Sequence, residues 1–105
     1  MTEVKMRPLD FRIIRMAVRP IDVLLRMGWT PRYHCGSVYR GGCPVHRSTS
    51  RSSRSLVCNG GVWYCHKCRA GGDAVRLVAL LRGISDLAAA HAICDEHAVT
   101  KPYLH

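Results

Sequence analysis

Residues 43 to 74 read CPVHRSTSRSSRSLVCNGGVWYCHKCRAGGDA, and two short pairs in that stretch, Cys43-x2-His46 and Cys65-x2-Cys68, decide the fold. Zinc in a structural site takes four ligands in a tetrahedron and prefers thiolate and imidazole. Two loops that each present two ligands meet that demand at little cost in chain entropy. The 18 residues between the pairs are enough for a hairpin that brings them together. The four ligands close the coordination shell, which leaves no position for water or substrate and makes the expected metal, one Zn2+, structural and not catalytic.

The segments around the pairs supply the hairpin. "RYHCGSVYRGG", "SLVC" and "VWYC" are strand-like runs, and Asn59-Gly60-Gly61 between the last two is a hairpin signal. "RSTSRSSRS" carries nothing apolar and is expected to be a mobile loop. After Cys68, Arg69-Ala70-Gly71-Gly72-Asp73 is expected to be a turn that delivers a helix cap. Ala74, Leu77, Val78 and Leu81 then recur at helical spacing, predicting a helix over 73–82 that ends at Gly83. Ser85 caps a second helix, "DLAAAHAICDEH". Upstream, Pro20 at a first helical position, Asp22 near the helix dipole and the stripe Ile21, Leu24 and Leu25 predict a helix over 20–27. The expected architecture is α+β: a small zinc ribbon whose short antiparallel sheet is flanked by an N-terminal helix and two C-terminal helices. Its expected division is a basic arm or helix (1–19), the zinc-binding domain (20–97) and a tail (98–105).

Charge points to a polyanionic partner. The 105 residues carry a formal net charge of +9, and 13 of the 16 cations are arginine. Between Asp22 and Asp73 there is no acidic residue, while eight basic ones fall there, so the positive field coincides with the Cys/His region. Phosphate contacts are expected from Arg40, Arg47, Arg51, Arg54, Lys67 and Arg69. Trp63 and Tyr64 are the expected stacking residues, and because they alternate on a strand only one of them can face away from the core. Four to six such cations correspond to a log-log salt slope of roughly −3 to −4 on single strands.

The remaining cysteines, Cys35, Cys58 and Cys94, have no partner two residues away and are expected in the core as small apolar groups. His66, inside a ligand loop, is expected to be exposed or to lie just outside the metal's ligands. Arginines interrupt every apolar run near the N-terminus, and no stretch approaches the ~18 apolar residues of a membrane span. A membrane partner is therefore not expected, and a reducing cytoplasmic setting is.

"YRGGCPVH" followed by "VWYCHKCRAGGDAV" resembles the N-terminal zinc-binding domain of bacterial and phage DNA primases. Arg40, Gly41, Cys43, Pro44, His46, Tyr64, Cys65, Cys68, Ala70, Gly71, Gly72, Asp73 and Ala74 fit that family's pattern, and the likeness extends over roughly residues 20 to 95. The loop after His46 departs from it, having neither the proline nor the phenylalanine usual there. The resemblance implies contact with single-stranded DNA template during primer synthesis, with a separate primase catalytic subunit or a helicase as a further partner. It supplies no catalytic residues here: only Asp95 and Glu96 are adjacent acids, and neighbours at i, i+1 on a helix do not face one site. The rival expectation is a zinc-stapled module that docks on a replication or mobile-element protein, or the N-terminal fragment of a full primase.

Overall fold

The computed structural model describes residues 6–45 and 55–104. Four helices and five strands follow in the order α1 (Phe11–Ala17), α2 (Pro20–Arg26), β1 (Tyr33–Cys35), β2 (Val38–Gly41), β3 (Leu56–Asn59), β4 (Val62–Cys65), β5 (Ala70–Gly72), α3 (Ala74–Arg82) and α4 (Asp86–Glu96). The strands form one antiparallel sheet in sequence order, β1 to β5. The α+β class and the ribbon-with-helices architecture are as the sequence indicates. Of the stretch 47–55, expected to be a mobile loop, residues 47–54 lie outside the described residues.

Each helix starts where a side chain satisfies a backbone N–H that would otherwise lack a partner. The Asp10 carboxylate accepts from Arg12 N–H at 3.0 Å, Asp73 from Arg76 N–H at 2.9 Å, and the Ser85 hydroxyl from Ala88 N–H at 3.1 Å. At α2, Pro20 occupies the first turn and Asp22 accepts from the Arg19 backbone N–H at 2.8 Å. Gly83 closes α3 in the left-handed conformation, φ 65°. No single described helix is long and apolar enough to cross a membrane.

The core is one cluster. Leu56, Cys58, Trp63 and Cys65 from the sheet meet Val75, Leu77 and Val78 of α3 and Ala89, Ala90, Ile93 and Cys94 of α4. The segments expected as an arm and a tail feed the same cluster. Leu9, Ile14 and Val18 are buried, Leu9 bridges to Tyr103, and Asp10 N–H donates to Pro102 O at 2.7 Å.

The sequence pattern missed one strand. Residues 70–72, expected as part of a turn, form β5, and Trp63↔Gly72, Tyr64↔Gly71 and Cys65↔Ala70 are its partners. Glycine disfavours strands by propensity, but here close approach demands it. A Cβ on Gly71 would stand 2.5 Å from the Trp63 carbonyl and 2.9 Å from Tyr64 Cδ2. The same logic applies to Gly41, where a Cβ would meet Trp29 Cζ2 at 2.6 Å. The Trp29 indole N–H donates to Gly42 O at 2.7 Å, which ties the end of α2 to the chain entering Cys43.

Gly71→Ala is expected to destabilise the fold by about 1–3 kcal/mol, because backbone and ring must both move. Gly61→Ala, with nothing within 4 Å of the new methyl group, is expected to stay within about 0.5 kcal/mol of the parent. Urea or thermal unfolding of the two variants measures the difference.

Candidate metal centre and sheet face

Cys43 follows β2, Cys65 ends β4, and Cys68 closes the turn that leads to β5, so sheet pairing alone carries the three thiols toward one point. Their sulfur atoms all lie within 4.8 Å of one another, with Cys43 Sγ and Cys68 Sγ 3.7 Å apart. Four ligands at the usual Zn–S length of about 2.3 Å define a tetrahedron with edges of about 3.8 Å. The Cys43–Cys68 separation matches that edge, and the cluster as a whole is close enough to hold one ion. His46, the expected fourth ligand, lies outside the described residues.

The turn is built to hold a sulfur with negative character. Cys68 N–H donates to Cys65 Sγ at 3.3 Å, Arg69 N–H donates to Cys65 O at 2.9 Å, and Arg69 adopts a left-handed φ of 53° to close it. Burial pushes the Cys65 thiol up, but hydrogen bonds from the backbone N–H groups of Cys68 and Lys67 and from the neighbouring thiols outweigh it. The group lies below the ordinary thiol range as a result. Cys43, Cys65 and Cys68 are thus the described residues that could hold a zinc ion, and an ion there would join the ends of β2 and β4.

The other cysteines divide. Cys58 and Cys94 are buried, as expected, and burial drives the Cys58 thiol up to about 12 and raises that of Cys94. Cys35 is a correction: it is exposed on the edge strand β1, where none of the described elements covers it to make a core position. His66 is exposed, with its ring edge-on to Tyr64 at 5.1 Å.

Register sorts the sheet's two faces. Cross-strand partners share a face, so one row across all five strands is Tyr33, Arg40, Val57, Tyr64 and Gly71. The row beside it on the same face is Cys35, Val38, Asn59 and Val62. The opposite face carries Tyr39, Cys58 and Trp63 toward the helices. Of the two expected stacking residues, Trp63 is thus withdrawn: it is 2% exposed, and its indole N–H donates to Asp73 O at 2.8 Å. Tyr64 and Tyr33, each 44% exposed, stand on the open face. The sequence reading missed Tyr33, whose signal was its place in a strand-like run beside Arg32.

The ion pairs partition the charge. Every described carboxylate meets a cation: Asp10 with Arg12, Asp22 with Arg19, Asp73 with Arg15, Asp86 with Arg76, Asp95 with Lys101 and Glu96 with Arg82. Exposed pairs of this kind stabilise little, but they offset most of the positive charge of the helical side, where Arg7 and Arg26 are left without a carboxylate partner among the described residues. Arg32 at the head of β1, Arg40 in β2, and Lys67 and Arg69 at the metal turn have no carboxylate partner among the described residues. Arg47, Arg51 and Arg54 lie outside the described residues.

Comparison with known proteins agrees with this geometry. Residues 31–105 match a zinc-ribbon family described as the CHC2 zinc finger. No curated protein matches the chain in sequence. Among solved structures, the fold is similar to a crystal structure of the Aquifex aeolicus primase that contains its zinc-binding and RNA polymerase domains. The TM-score is 0.70 with 25% identity, over 92% of this chain and 23% of that one.

Two outcomes test the site. Cys65→Ser is expected to abolish stoichiometric zinc binding and to lower Tm by more than about 10 °C, since structural zinc contributes a large share of a small domain's stability. A native-like amide NMR spectrum of that variant after chelation contradicts a structural role for the metal. Iodoacetamide at pH 8 is expected to modify Cys35 first in the zinc-loaded protein. Cys58 and Cys94 should react only on unfolding, and Cys43, Cys65 and Cys68 once metal is removed, all read by peptide mass spectrometry.

Proposed function

The chain belongs to the CHC2 zinc-finger family, the zinc-binding domain of DNA primases, and on that premise we propose that it is a nucleic-acid-binding module that holds single-stranded template for primer synthesis. One observation carries the reading: a single row on the open sheet face combines two exposed tyrosines with an arginine, on the side of the molecule whose cations have no carboxylate partner. Unpaired bases stack on aromatic faces, and their phosphates need uncancelled positive charge. Tyr33 and Tyr64 supply the first, and Arg32, Arg40, Lys67 and Arg69 the second. Duplex DNA hides its base faces, so the arrangement favours single strands.

His46 completes the zinc shell in this reading, and Arg47, Arg51 and Arg54 extend the cationic side. Zinc holds the ends of β2 and β4 so that Arg40 and Tyr64 keep their register. The chain spans 23% of the Aquifex primase chain, which also contains RNA polymerase domains. Nucleotidyl transfer accordingly belongs to a polymerase domain, joined to this module or brought by a separate subunit, with a helicase as a further partner.

Fluorescence anisotropy of the zinc-loaded protein with labelled oligonucleotides tests the proposal. Single strands are expected to bind more tightly than duplex, with a log-log salt slope near −3 if four cations engage phosphates. Tyr64→Ala is expected to weaken binding by about 1–3 kcal/mol without changing the slope. Arg40→Ala should reduce the slope by about 0.7, and Arg12→Ala, on the neutralised side, should do neither. Absence of a slope together with wild-type affinity in Tyr64→Ala overturns the reading.

A further inference from the structure

Asn59 was expected to serve the hairpin turn, and the structure gives it another position. Strand β3 runs through Asn59, which pairs with Val62, so the loop is only Gly60-Gly61. The left-handed backbone falls on Gly60, φ 60°, and among described non-glycine residues only Arg69 and Ala98 have positive φ. The turn thus makes no conformational demand that asparagine at 59 answers. Its side chain is exposed on the open face, opposite Val38 and two residues along from Val57.

A hydrogen bond orients that side chain. The Ser37 hydroxyl donates to Asn59 Oδ1 at 2.9 Å. With the amide oxygen held by Ser37, the Nδ2 group and its two N–H donors lie on the other side of the amide, with no hydrogen-bond partner among the described residues. Beside it, Tyr33, Val38, Arg40 and Val57 line a shallow depression of about 230 Å³. Two valines make an apolar floor, Tyr33 gives an aromatic wall, and Arg40 gives a cation. An unpaired nucleobase needs those three features and, for selection, a polar group at its edge.

We propose that this depression seats one unpaired nucleobase of a single strand, and that Asn59 Nδ2 donates a hydrogen bond to a keto oxygen on the edge of that base. Asn59 is then a specificity-determining residue, and Ser37 a positioning residue that fixes the direction of its amide. The inference rests on the open sheet face being the nucleic-acid surface, and it adds which residue discriminates and for which chemical group. Thymine and guanine present a keto oxygen where cytosine and adenine present an amino group. An Nδ2 donor meets the first pair and opposes the second.

The test uses the zinc-loaded full chain and abasic deoxyribose-phosphate strands that each carry a single base, T, C, G or A, with affinity read by anisotropy. The wild type is expected to bind T over C and G over A. Asn59→Asp, nearly isosteric but only an acceptor, is expected to lower both ratios by about 2- to 10-fold while weakening all four strands. Ser37→Ala is expected to narrow both ratios. Zinc content and Tm equal to the wild type accompany this result if the effect is recognition and not folding. If the wild type binds these strands and Asn59→Asp leaves both ratios unchanged, the inference is overturned while the sheet-face reading stands. If the wild type binds no single strand, both fail.

Discussion

Three sulfur atoms within 4.8 Å of one another, carried by two separate parts of the sheet, are the constraint on which the rest of the molecule depends. Cys43 stands at the exit from β2, and Cys65 and Cys68 frame the turn after β4, so a metal there clamps strands that are joined in sequence only through a long connection. β4 ends at one of those sulfurs, Cys65. From that end the turn closes through Cys68 and the left-handed Arg69, and β5 returns along β4 before α3 begins at Asp73. The Trp63 indole bond to Asp73 O then locks the start of α3 against the inner face of the same strand that ends in a ligand. A domain with one small core gains from such a staple what a larger one obtains from buried area.

The second organising fact is electrostatic and follows from where the acids fall in the chain. Between Asp22 and Asp73 there is none. The acids lie in and beside the helices, where capping and ion pairing engage Asp10, Asp22, Asp73 and Asp86, and the strands and the metal turn retain arginine and lysine alone. Each pair is exposed and weak, yet together they offset most of the charge among the helices and none of the charge on the strands and the metal turn.

How much of this was legible in the sequence depends on whether the cause was local. The ligand pairs, the Ser85 and Asp73 caps, the Gly83 stop and the Gly60 turn are short-range demands, and they stand in the chain as recognisable residues. Strand β5 was illegible because its glycines answer a tertiary demand: the Trp63 carbonyl and the Tyr64 ring occupy the space where a Cβ on Gly71 would sit. Glycine at 71 and 72 looks like a turn until the neighbour is known. The start of α1 was missed in a similar way. Asp10 is an ordinary cap, but Leu9 and Pro102, which fix the chain around it, lie at opposite ends of the sequence. For Trp63 and Tyr64 the period of two showed that they part ways, and only the register showed which one is buried. The core assignment of Cys35 failed because a strand-like run does not reveal that its strand is an edge.

Strand β4 explains why metal and surface are not independent parts. In four residues, Val62 and Tyr64 face outward while Trp63 and Cys65 face inward. A strand offers this alternation for nothing more than its pleat. A change that slips β4 by one residue exchanges the faces: Tyr64 goes into the core, Trp63 onto the surface, and Cys65 away from Cys43. The three requirements of burying an indole, placing a thiolate and presenting a phenol thus select the same register, and failure of any one opposes the other two. The register that brings Cys65 to the sulfur cluster is the one that sets Tyr64 beside Val57, Arg40 and Tyr33, and that row cannot be maintained in another register without giving up the cluster.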